Sequence, residues 1–505
     1  MAAKREIQDM QAGFAGGLNT VADAAVVRPD QARQLENFRL TAYGAATKRG
    51  GTKRTSAAPP TASVLTSIRP WPSQNVLMCT TGTTALYWTQ NPSAGNTWTT
   101  LAATTGTPSD NGVVFTDGTS EFWYTWHTAG LAKTSTITGG ISCAKVAGAT
   151  PAANNALAGL VVYNSRLWGW PGNDGGTTVN RLYYSNLSTA VGSIGGDSFG
   201  IVASSGGSIV INTFGQSAII SAVVVGASLM ICHQTGVSRL SGFGQDDIDV
   251  EPQAVSAEMS ILGRDAYAIF QDVAYVLTTQ GLMEMTEGAI NAVGTPDKPD
   301  PTRPVIQSLI LGGTSLAGAK VAYNAQKTEL YCSLDTVGIY VYNTTLDAWS
   351  GPFTGALVPA SQNGLCYYAP YAYFGGAGGY LLRMDSSGVL LDNLTSTSTG
   401  GTAVTGVLQC HRMFGAERMY SKAWRWITVM CTLTSGGTAP TAVAYSQVSG
   451  SSTMTFSAPV SAEAVYYLQP GGVGPYLDVT ITDAATNGTN QYVQIGIEGF
   501  LLGQR

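Results

Sequence analysis

Residues 273–285 read VAYVLTTQGLMEM, two apolar runs joined by a turn that contains Gly281. Short runs rich in Val, Tyr and Leu on either side of a glycine turn predict a β-hairpin. Six other stretches have a similar form, at residues 76–88, 113–124, 160–168, 229–240, 330–342 and 371–382. These seven predicted hairpins decide the fold class, which we expect to be all-β.

The hairpins recur with a mean spacing of about 49 residues between the turns at Gly82 and Gly378. Repeats of this length are typical of four-stranded propeller blades. The individual intervals vary, so we predict an irregular β-propeller of six to eight blades over residues 55–400. A series of Greek-key β-sandwiches would give the same period and stays open as the alternative.

The composition agrees with short strands joined by turns. Of 505 residues, 61 are glycine, and only 26 are basic and 31 acidic. Exposed faces of helices would carry more Glu, Lys and Arg. No apolar run approaches the ~18 residues of a membrane span, so we predict no such span.

The two ends of the chain differ from the repeats. Residues 388–406 are rich in Ser, Thr and Gly and predict a domain boundary. Beyond it, alternation around residues 424–431, 477–481 and 493–497 predicts a C-terminal β-sandwich over residues 401–505. At the other end, residues 1–54 carry a net charge of +4, which leaves −9 on the remainder.

We interpret residues 1–54 as an extended N-terminal arm that serves assembly and lies outside the propeller core. Within it, residues 29–38 predict a helix, because Pro29 suits a first turn and Ala32, Leu35 and Phe38 share one side. Double glycines at 16–17 and 50–51 flank that segment.

The search for chemistry yields no catalytic, cofactor-binding or metal residues, so we predict that the chain is not an enzyme. His127, His233 and His411 are far apart in dissimilar settings, and His233 is interpreted as a polar group at a strand end. Neither a phosphate-binding loop nor a nucleophile elbow is present. The seven cysteines occur singly and are interpreted as buried apolar residues without a disulfide or metal framework. They are Cys79, Cys143, Cys232, Cys332, Cys366, Cys410 and Cys431.

Two loops contain acidic residues, and one of them has the oxygen ligands that a cation site would need. Asp247, Asp249 and Glu251 alternate in one loop but lack the glycine and distal Glu of an EF-hand, so we interpret the loop as a solvated connection. Residues 173–176, NDGG, predict a hairpin turn.

Several motifs together resemble a known group of proteins. The leader carries GGLNT at 16–20, PDQ at 29–31, Asn37 and KRGGT at 48–52. The repeats carry YNSRLW at 163–168, NRLYYS at 180–185, and Tyr342-Asn343 with AWS at 348–350. In these features residues 12–390 resemble the propeller-containing nozzle or hub proteins of bacteriophage tails.

The resemblance implies a structural virion protein that is assembled in the host cytoplasm. Identical copies would form a ring, a homohexamer, that extends the DNA-ejection channel below the portal and adaptor proteins and carries fibres or spikes. Genomic DNA would pass through without sequence-specific binding. The alternative is a propeller enzyme or glycan-binding module that acts on host surface polysaccharide.

Overall fold

The structure is a computed structural model, and the part of the chain that it describes consists mainly of antiparallel β-sheets with one α-helix. The all-β prediction is therefore confirmed. The described residues are 6–502 without 12, 56–62, 82–85, 91–97, 104–107, 117–120, 128–129, 135–141, 146–156, 172–178, 186–206, 242–252, 257–258, 359–362, 385–390, 393–400, 416–417, 435–437, 458–461 and 487–489.

Six short strands form the leader. They are β1 (Glu6–Gln11), β2 (Gly17–Leu18), β3 (Gln31–Glu36), β4 (Phe38–Leu40), β5 (Ala46–Lys48) and β6 (Lys53–Arg54).

Seven four-stranded units follow. The first two comprise β7 (Ser67–Trp71), β8 (Val76–Thr80), β9 (Leu86–Gln90) and β10 (Trp98–Ala103), then β11 (Pro108–Thr116), β12 (Glu121–His127), β13 (Gly130–Thr134) and β14 (Ser142–Lys145). The third and fourth comprise β15 (Gly159–Tyr163), β16 (Arg166–Trp170), β17 (Arg181–Tyr184) and β18 (Gly207–Val210), then β19 (Ile219–Val225), β20 (Ser228–His233), β21 (Val237–Ser241) and β22 (Gln253–Ser256).

The fifth unit, β23 (Tyr267–Phe270), β24 (Val273–Thr278), β25 (Gly281–Met285) and β26 (Ile290–Ala292), is followed by helix α1 (Thr302–Leu311). The sixth comprises β27 (Lys320–Asn324), β28 (Glu329–Leu334), β29 (Gly338–Asn343) and β30 (Ala348–Phe353). The seventh comprises β31 (Leu365–Tyr368), β32 (Tyr371–Gly375) and β33 (Leu381–Arg383), and the leader strand β6 is its fourth strand.

The units close into a ring. First strands of successive units contact one another from β7 through β11, β15 and β19; the fourth unit meets the fifth through β19 and β24, and β23 contacts β27, which contacts β31. The ring closes because β31 contacts β7. Such a cyclic order of four-stranded units is the order expected of the blades of a seven-bladed β-propeller whose first strands surround its axis. We therefore call the units blades.

Each of the seven predicted hairpins lies in its own sheet unit. Five of them are second and third strands, such as β24 with β25. The hairpins near 113 and 160 are instead first and second strands, β11 with β12 and β15 with β16. This change of position within the blade contributes to the irregular spacing seen in the sequence.

Two of the remaining strands, β34 (Leu391–Asp392) and β35 (Thr402–Ala403), pair with each other as a separate two-stranded sheet. The others belong to a β-sandwich. They are β36 (Gly406–Cys410), β37 (Lys422–Thr432), β38 (Thr441–Ser446), β39 (Gly450–Thr455), β40 (Glu463–Leu468), β41 (Val473–Gly474), β42 (Leu477–Asp483) and β43 (Gln491–Leu501). One sheet runs β4-β5-β43-β37-β40, with β1 on β43 and β41 on β37. The other runs β3-β36-β42-β38-β39, and β3 joins it to β30 of the sixth blade.

The leader is thus not the separate arm that its charge suggested. Strand β1 pairs with β43, β3 pairs with β36, and β6 pairs with β33. Ile7, Phe14 and Leu35 are fully or nearly fully buried in the core shared with the C-terminal strands. Residues 6–54 therefore complete both the propeller and the sandwich.

The predicted helix at residues 29–38 is also wrong, for a specific reason. The pairing of β3 with β36 shifts register between Ala32 and Gln34, so that Ala32 and Leu35 are both buried. Asn37 then takes a left-handed backbone conformation with φ of 56°, and Phe38 is buried as well. A β-bulge and a left-handed residue thus produce a three-residue spacing that imitates a helix.

Arg49 joins the leader to the rest of the molecule. Its guanidinium pairs with Asp392 through Nη1–Oδ1 at 3.0 Å and Nη2–Oδ2 at 2.8 Å, with both side chains buried. Nε donates to Asn37 Oδ1 at 2.8 Å, and Nη2 also donates to the Thr354 carbonyl at 2.8 Å. Charged groups removed from water are stable only when they are paired and hydrogen-bonded in this way.

Lys48 makes a second buried link, to the sandwich. Its Nζ donates to Asp483 Oδ1 at 3.1 Å and to the Ala485 carbonyl at 2.6 Å. Asp483 Oδ2 accepts further bonds from Asn490 and Tyr492, at 2.8 and 2.9 Å. Nearby, a Cβ on Gly51 would lie 2.1 Å from the Leu391 carbonyl oxygen, so the chain can pass there only as glycine.

We predict that Arg49→Ala destabilises the protein by about 3–5 kcal/mol, because Asp392 would remain buried without its partner. Urea denaturation followed by circular dichroism measures this. The matched control is Arg28→Ala, whose partner Asp30 forms a partly exposed pair at 3.0 Å and whose loss should cost about 1 kcal/mol or less. Equal losses in the two variants would contradict the structural role of Arg49.

Candidate functional site

The candidate site is a cavity of about 400 Å³, which we call the axial pocket because first strands of the ring of blades line it. Its walls come from the first strands of four blades, with residues 67–70 on β7, 267–269 on β23, 320–323 on β27 and 365–367 on β31. Because these strands surround the axis, four separate stretches of sequence converge on one pocket.

Asp265, which precedes β23, is the centre of a charged cluster in this pocket. Lys320 Nζ donates to its Oδ2 at 2.8 Å, and Arg264 donates to both oxygens, at 3.3 Å from Nε and 3.0 Å from Nη2. Arg69 also pairs with Oδ1. Three cations therefore share one carboxylate, and the formal charge of the cluster is +2.

The cations determine the charge state of Asp265. Burial by itself would raise its pKa, but Arg264, Lys320 and Arg69 together hold the pKa well below its usual range. Asp265 is therefore ionised at neutral pH and is a poor proton donor.

Aromatic rings form the less polar part of the lining. Tyr267, Tyr323 and Tyr367 belong to the pocket wall, and the Tyr323 ring stacks on Phe270 with centroids 4.2 Å apart. Burial raises the pKa of Tyr267, and the nearby positive charge of Arg69 partly offsets this rise. The pocket thus combines flat apolar surfaces with a positive cluster.

The sequence search missed this cluster, because its members are spread from position 69 to 320. One local signal was present: the adjacent Arg264 and Asp265 stand just before a strand in a chain that carries few charges. The partners of that dipeptide become visible only when the blades close into a ring.

Two of the three histidines have structural roles. His233 ends β20 and is buried, with Nε2 2.9 Å from Ser238 Oγ, which agrees with its interpretation as a strand-end polar group. His411 is buried with Nδ1 2.6 Å from Gln11 Oε1. Burial lowers the pKa of both rings. His127 ends strand β12, and its side chain lies outside the described part.

The acidic loop with Asp247, Asp249 and Glu251 and the turn at 173–176 lie outside the described residues. Within the described residues, no group of three or more His, Cys, Asp or Glu side chains is placed to hold a metal ion. Likewise, none of the described helices is long and apolar enough to cross a membrane.

Six cysteines are free and buried, as the sequence predicted, whereas the side chain of Cys143 is outside the described part. Burial raises the pKa of Cys232 and Cys366 to about 12. Such thiols are protonated and unreactive at neutral pH.

A second cavity, of about 380 Å³, adjoins Arg49 and Asp392. The charged atoms there are already used by the hydrogen bonds of the leader described above. This cavity therefore belongs to the structural junction.

No protein-family model and no curated protein matches the chain. Among solved structures, it is similar to the extracellular domain of a putative hybrid two-component system from B. thetaiotaomicron, with 13% sequence identity and a TM-score of 0.41. The match covers 66% of this chain and 42% of that chain, so this chain spans less than half of that protein's length. At this level of similarity, no function is transferred.

We predict that Asp265 contributes stability that depends on pH. Because its folded-state pKa is depressed, the contribution is present above its unfolded value of about 3.9 and is lost as pH falls through the folded pKa. Asp265→Asn should therefore have a lower urea midpoint than the wild type at pH 7, and the difference should shrink below about pH 4. Denaturation curves at pH 7, 5, 4 and 3 test this.

The control is Asp297→Asn, at a carboxylate whose side chain is 78% exposed. It should leave the pH profile close to that of the wild type. A constant difference between wild type and Asp265→Asn over the whole pH range would show that the cations do not depress the pKa.

Proposed function

We propose that the chain is a structural protein of a bacteriophage tail, of the nozzle or hub kind, without catalytic activity. Six identical copies form a ring in the virion that extends the DNA channel below the portal and adaptor proteins and carries fibres or spikes. The copies are assembled in the host cytoplasm. Support comes from the leader motifs and from an apolar face suited to contacts between copies.

The leader motifs that carry the resemblance make specific contacts with the rest of the molecule. Gly17 takes a positive φ of 74°, and a Cβ there would lie 2.7 Å from the Trp349 carbonyl oxygen of the sixth blade. Asn19 donates to Gln31 Oε1 at 2.9 Å, which ties the GGLNT and PDQ segments together. Lys48 and Arg49 anchor the third segment through buried pairs. The motifs thus specify how the leader joins the propeller to the sandwich.

The observation that carries the proposal of a ring is the outer face of the sandwich sheet that contains β37. Tyr467 is 65% exposed, Val465 49% and Met10 46%. Val465 is opposite Met430, and Tyr467 lies edge-on to Trp426 with ring centroids 6.2 Å apart. Strand pairing places Glu498 and Gln494 on the same face, so it combines exposed apolar side chains with polar ones. Exposed apolar side chains that are grouped on one face and bordered by polar residues are typical of a surface for protein contact.

A second copy of the chain is the partner that we assign to this face. Identical subunits that meet through two different surfaces close into a ring when the rotation between them divides a full turn. The resemblance supplies the number six.

Charge placement supports a conduit that does not grip DNA. Arg39 pairs with Glu329 at 3.0 Å, and Lys48 and Arg49 pair with Asp483 and Asp392. The basic excess of the leader is therefore partly neutralised inside the molecule, and these three cations are not available to phosphates. Weak contact with the backbone allows a duplex to slide.

We predict that Tyr467→Lys prevents ring formation, because a charge would be buried in the apolar contact between copies. Negative-stain microscopy and native mass spectrometry of the wild type and the variant measure this. Tyr445→Lys is the matched control, since Tyr445 is 44% exposed on the other sheet of the sandwich. Intact rings of Tyr467→Lys would contradict the assigned face. A monomer in assembled tails would contradict the ring itself.

We also predict that the full chain binds duplex DNA no more tightly than about micromolar at about 0.15 M salt. Fluorescence anisotropy with a labelled duplex at two salt concentrations measures the affinity. Submicromolar, salt-sensitive binding would overturn the conduit and indicate a nucleic-acid-binding role.

The axial pocket is the observation that favours the second candidate, a propeller enzyme or glycan-binding module. Within its described lining, Asp265 is the carboxylate, and its depressed pKa does not suit a general acid. The pocket therefore favours binding over catalysis in this second candidate. Microscopy distinguishes the two functions, since a binding module would be a monomer or trimer and not a hollow ring.

A further inference from the structure

We propose that the axial pocket is a binding site for a small oxyanion, a ligand that carries a carboxylate or a phosphate group. The proposal rests on the charges, donors and rings of the pocket and holds whether or not the chain forms a tail ring.

The first argument is the balance of charge. Arg49 with Asp392 and Lys48 with Asp483 each pair one cation with one carboxylate, and further hydrogen bonds surround both pairs. At Asp265, by contrast, three cations converge on one carboxylate. Like charges that are held together in a partly buried site repel one another, and an added anion relieves this repulsion.

The second argument concerns the donors that remain. Arg264 holds Asp265 from two nitrogens, and its Nη1 donates to the Ala158 carbonyl at 3.0 Å, so its role is to fix the carboxylate. Arg69 pairs with Asp265 and is hydrogen-bonded to Tyr267, and its side chain is 30% exposed. Lys320 Nζ carries three donor hydrogens. Among the described residues, one of them is donated to Asp265. Arg69 and Lys320 both line the pocket and are the groups that would bind the anion.

The third argument is the shape of the site. A volume of about 400 Å³ lies within the usual range for small-molecule pockets, which combine apolar walls with a few convergent polar groups. Tyr267, Tyr323 and Tyr367 supply flat surfaces for the body of a ligand next to the cations. An arginine fork and a lysine are the side chains that proteins use to hold carboxylates and phosphates.

The second cavity, beside Arg49, does not offer this chemistry. The guanidinium of Arg49 already donates hydrogen bonds to Asp392, to Asn37 and to two backbone carbonyls. The cavity beside Arg49 therefore lacks the surplus of positive charge that is present at Asp265, where three cations meet one carboxylate.

Isothermal titration calorimetry of the full chain tests the proposal with three probes at equal ionic strength. Sodium glucuronate supplies a carboxylate on a sugar ring, inorganic phosphate supplies the other anion, and methyl glucoside is the neutral control. We expect at least one anion to bind and the glucoside not to bind. Tighter binding of glucuronate would identify an acidic sugar as the source, and tighter binding of phosphate would identify a phosphate ester.

Variants locate the binding. Arg69→Met and Lys320→Met should each weaken anion binding by about tenfold or more, since each removes a charged donor. Arg425→Met is the matched control, because Arg425 is a half-exposed cation on the distant strand β37. Thermal melting verifies folding, and if Lys320→Met does not fold, Arg69→Met alone decides the test because that side chain is partly exposed.

Three results would overturn the proposal. They are the absence of anion binding up to about 10 mM, equal binding by wild type and Arg69→Met, and glucoside binding as tight as that of glucuronate. Loss of the ring in the microscopy described above would not affect any of these measurements, so failure of the site and failure of the proposed function are distinguishable.

Discussion

The buried pair of Arg49 and Asp392 is the interaction on which the arrangement of the molecule depends. It joins a leader residue to a short strand that follows the seventh blade, across 343 positions of sequence. Asp392 also accepts bonds from the backbone amides of Thr52 and Ala356, so one carboxylate holds the leader and the blade connection together. Since a buried carboxylate without a partner is strongly destabilising, the leader must be in place for this junction to exist.

The same constraint shapes how the fold is completed. Strand β6 closes the seventh blade, β1 pairs with β43, and Leu35 of β3 is opposite Gly351 of the sixth blade. Strands near the start of the sequence therefore pair with strands hundreds of positions away. Such non-local pairings cost loop-closure entropy before they gain stability, so a topology of this kind is expected to fold more slowly than one built from local contacts.

The sequence predicted features whose pattern lies within a short segment, such as the hairpins. It did not predict features that depend on residues far apart in the chain. Each hairpin is specified within about 15 residues, and each of the seven lies in a different four-stranded unit, although the parallel pairing of β10 with β14 joins the first two units into one eight-stranded sheet. The prediction of a separate arm was wrong because the basic residues of the leader pair with Asp392, Asp483 and Glu329, which are far away in the sequence. The helix prediction was wrong because a β-bulge between Ala32 and Gln34 allows both Ala32 and Leu35 to be buried in a strand. The axial cluster needs ring closure and could not be read from any window of the sequence.

A chain this poor in charge makes the position of each charged group informative. Where an ion pair serves the fold, as at Arg49 and Lys48, one cation meets one carboxylate, and backbone and amide groups bind the remaining polar atoms. If the Asp265 cluster served stability alone, one cation for its carboxylate, or apolar residues instead of the cluster, would be expected. Asp265 instead stabilises three cations, two of which line an open cavity. Mutual repulsion of the three cations opposes this arrangement, and the anionic ligand that we propose would reduce that repulsion.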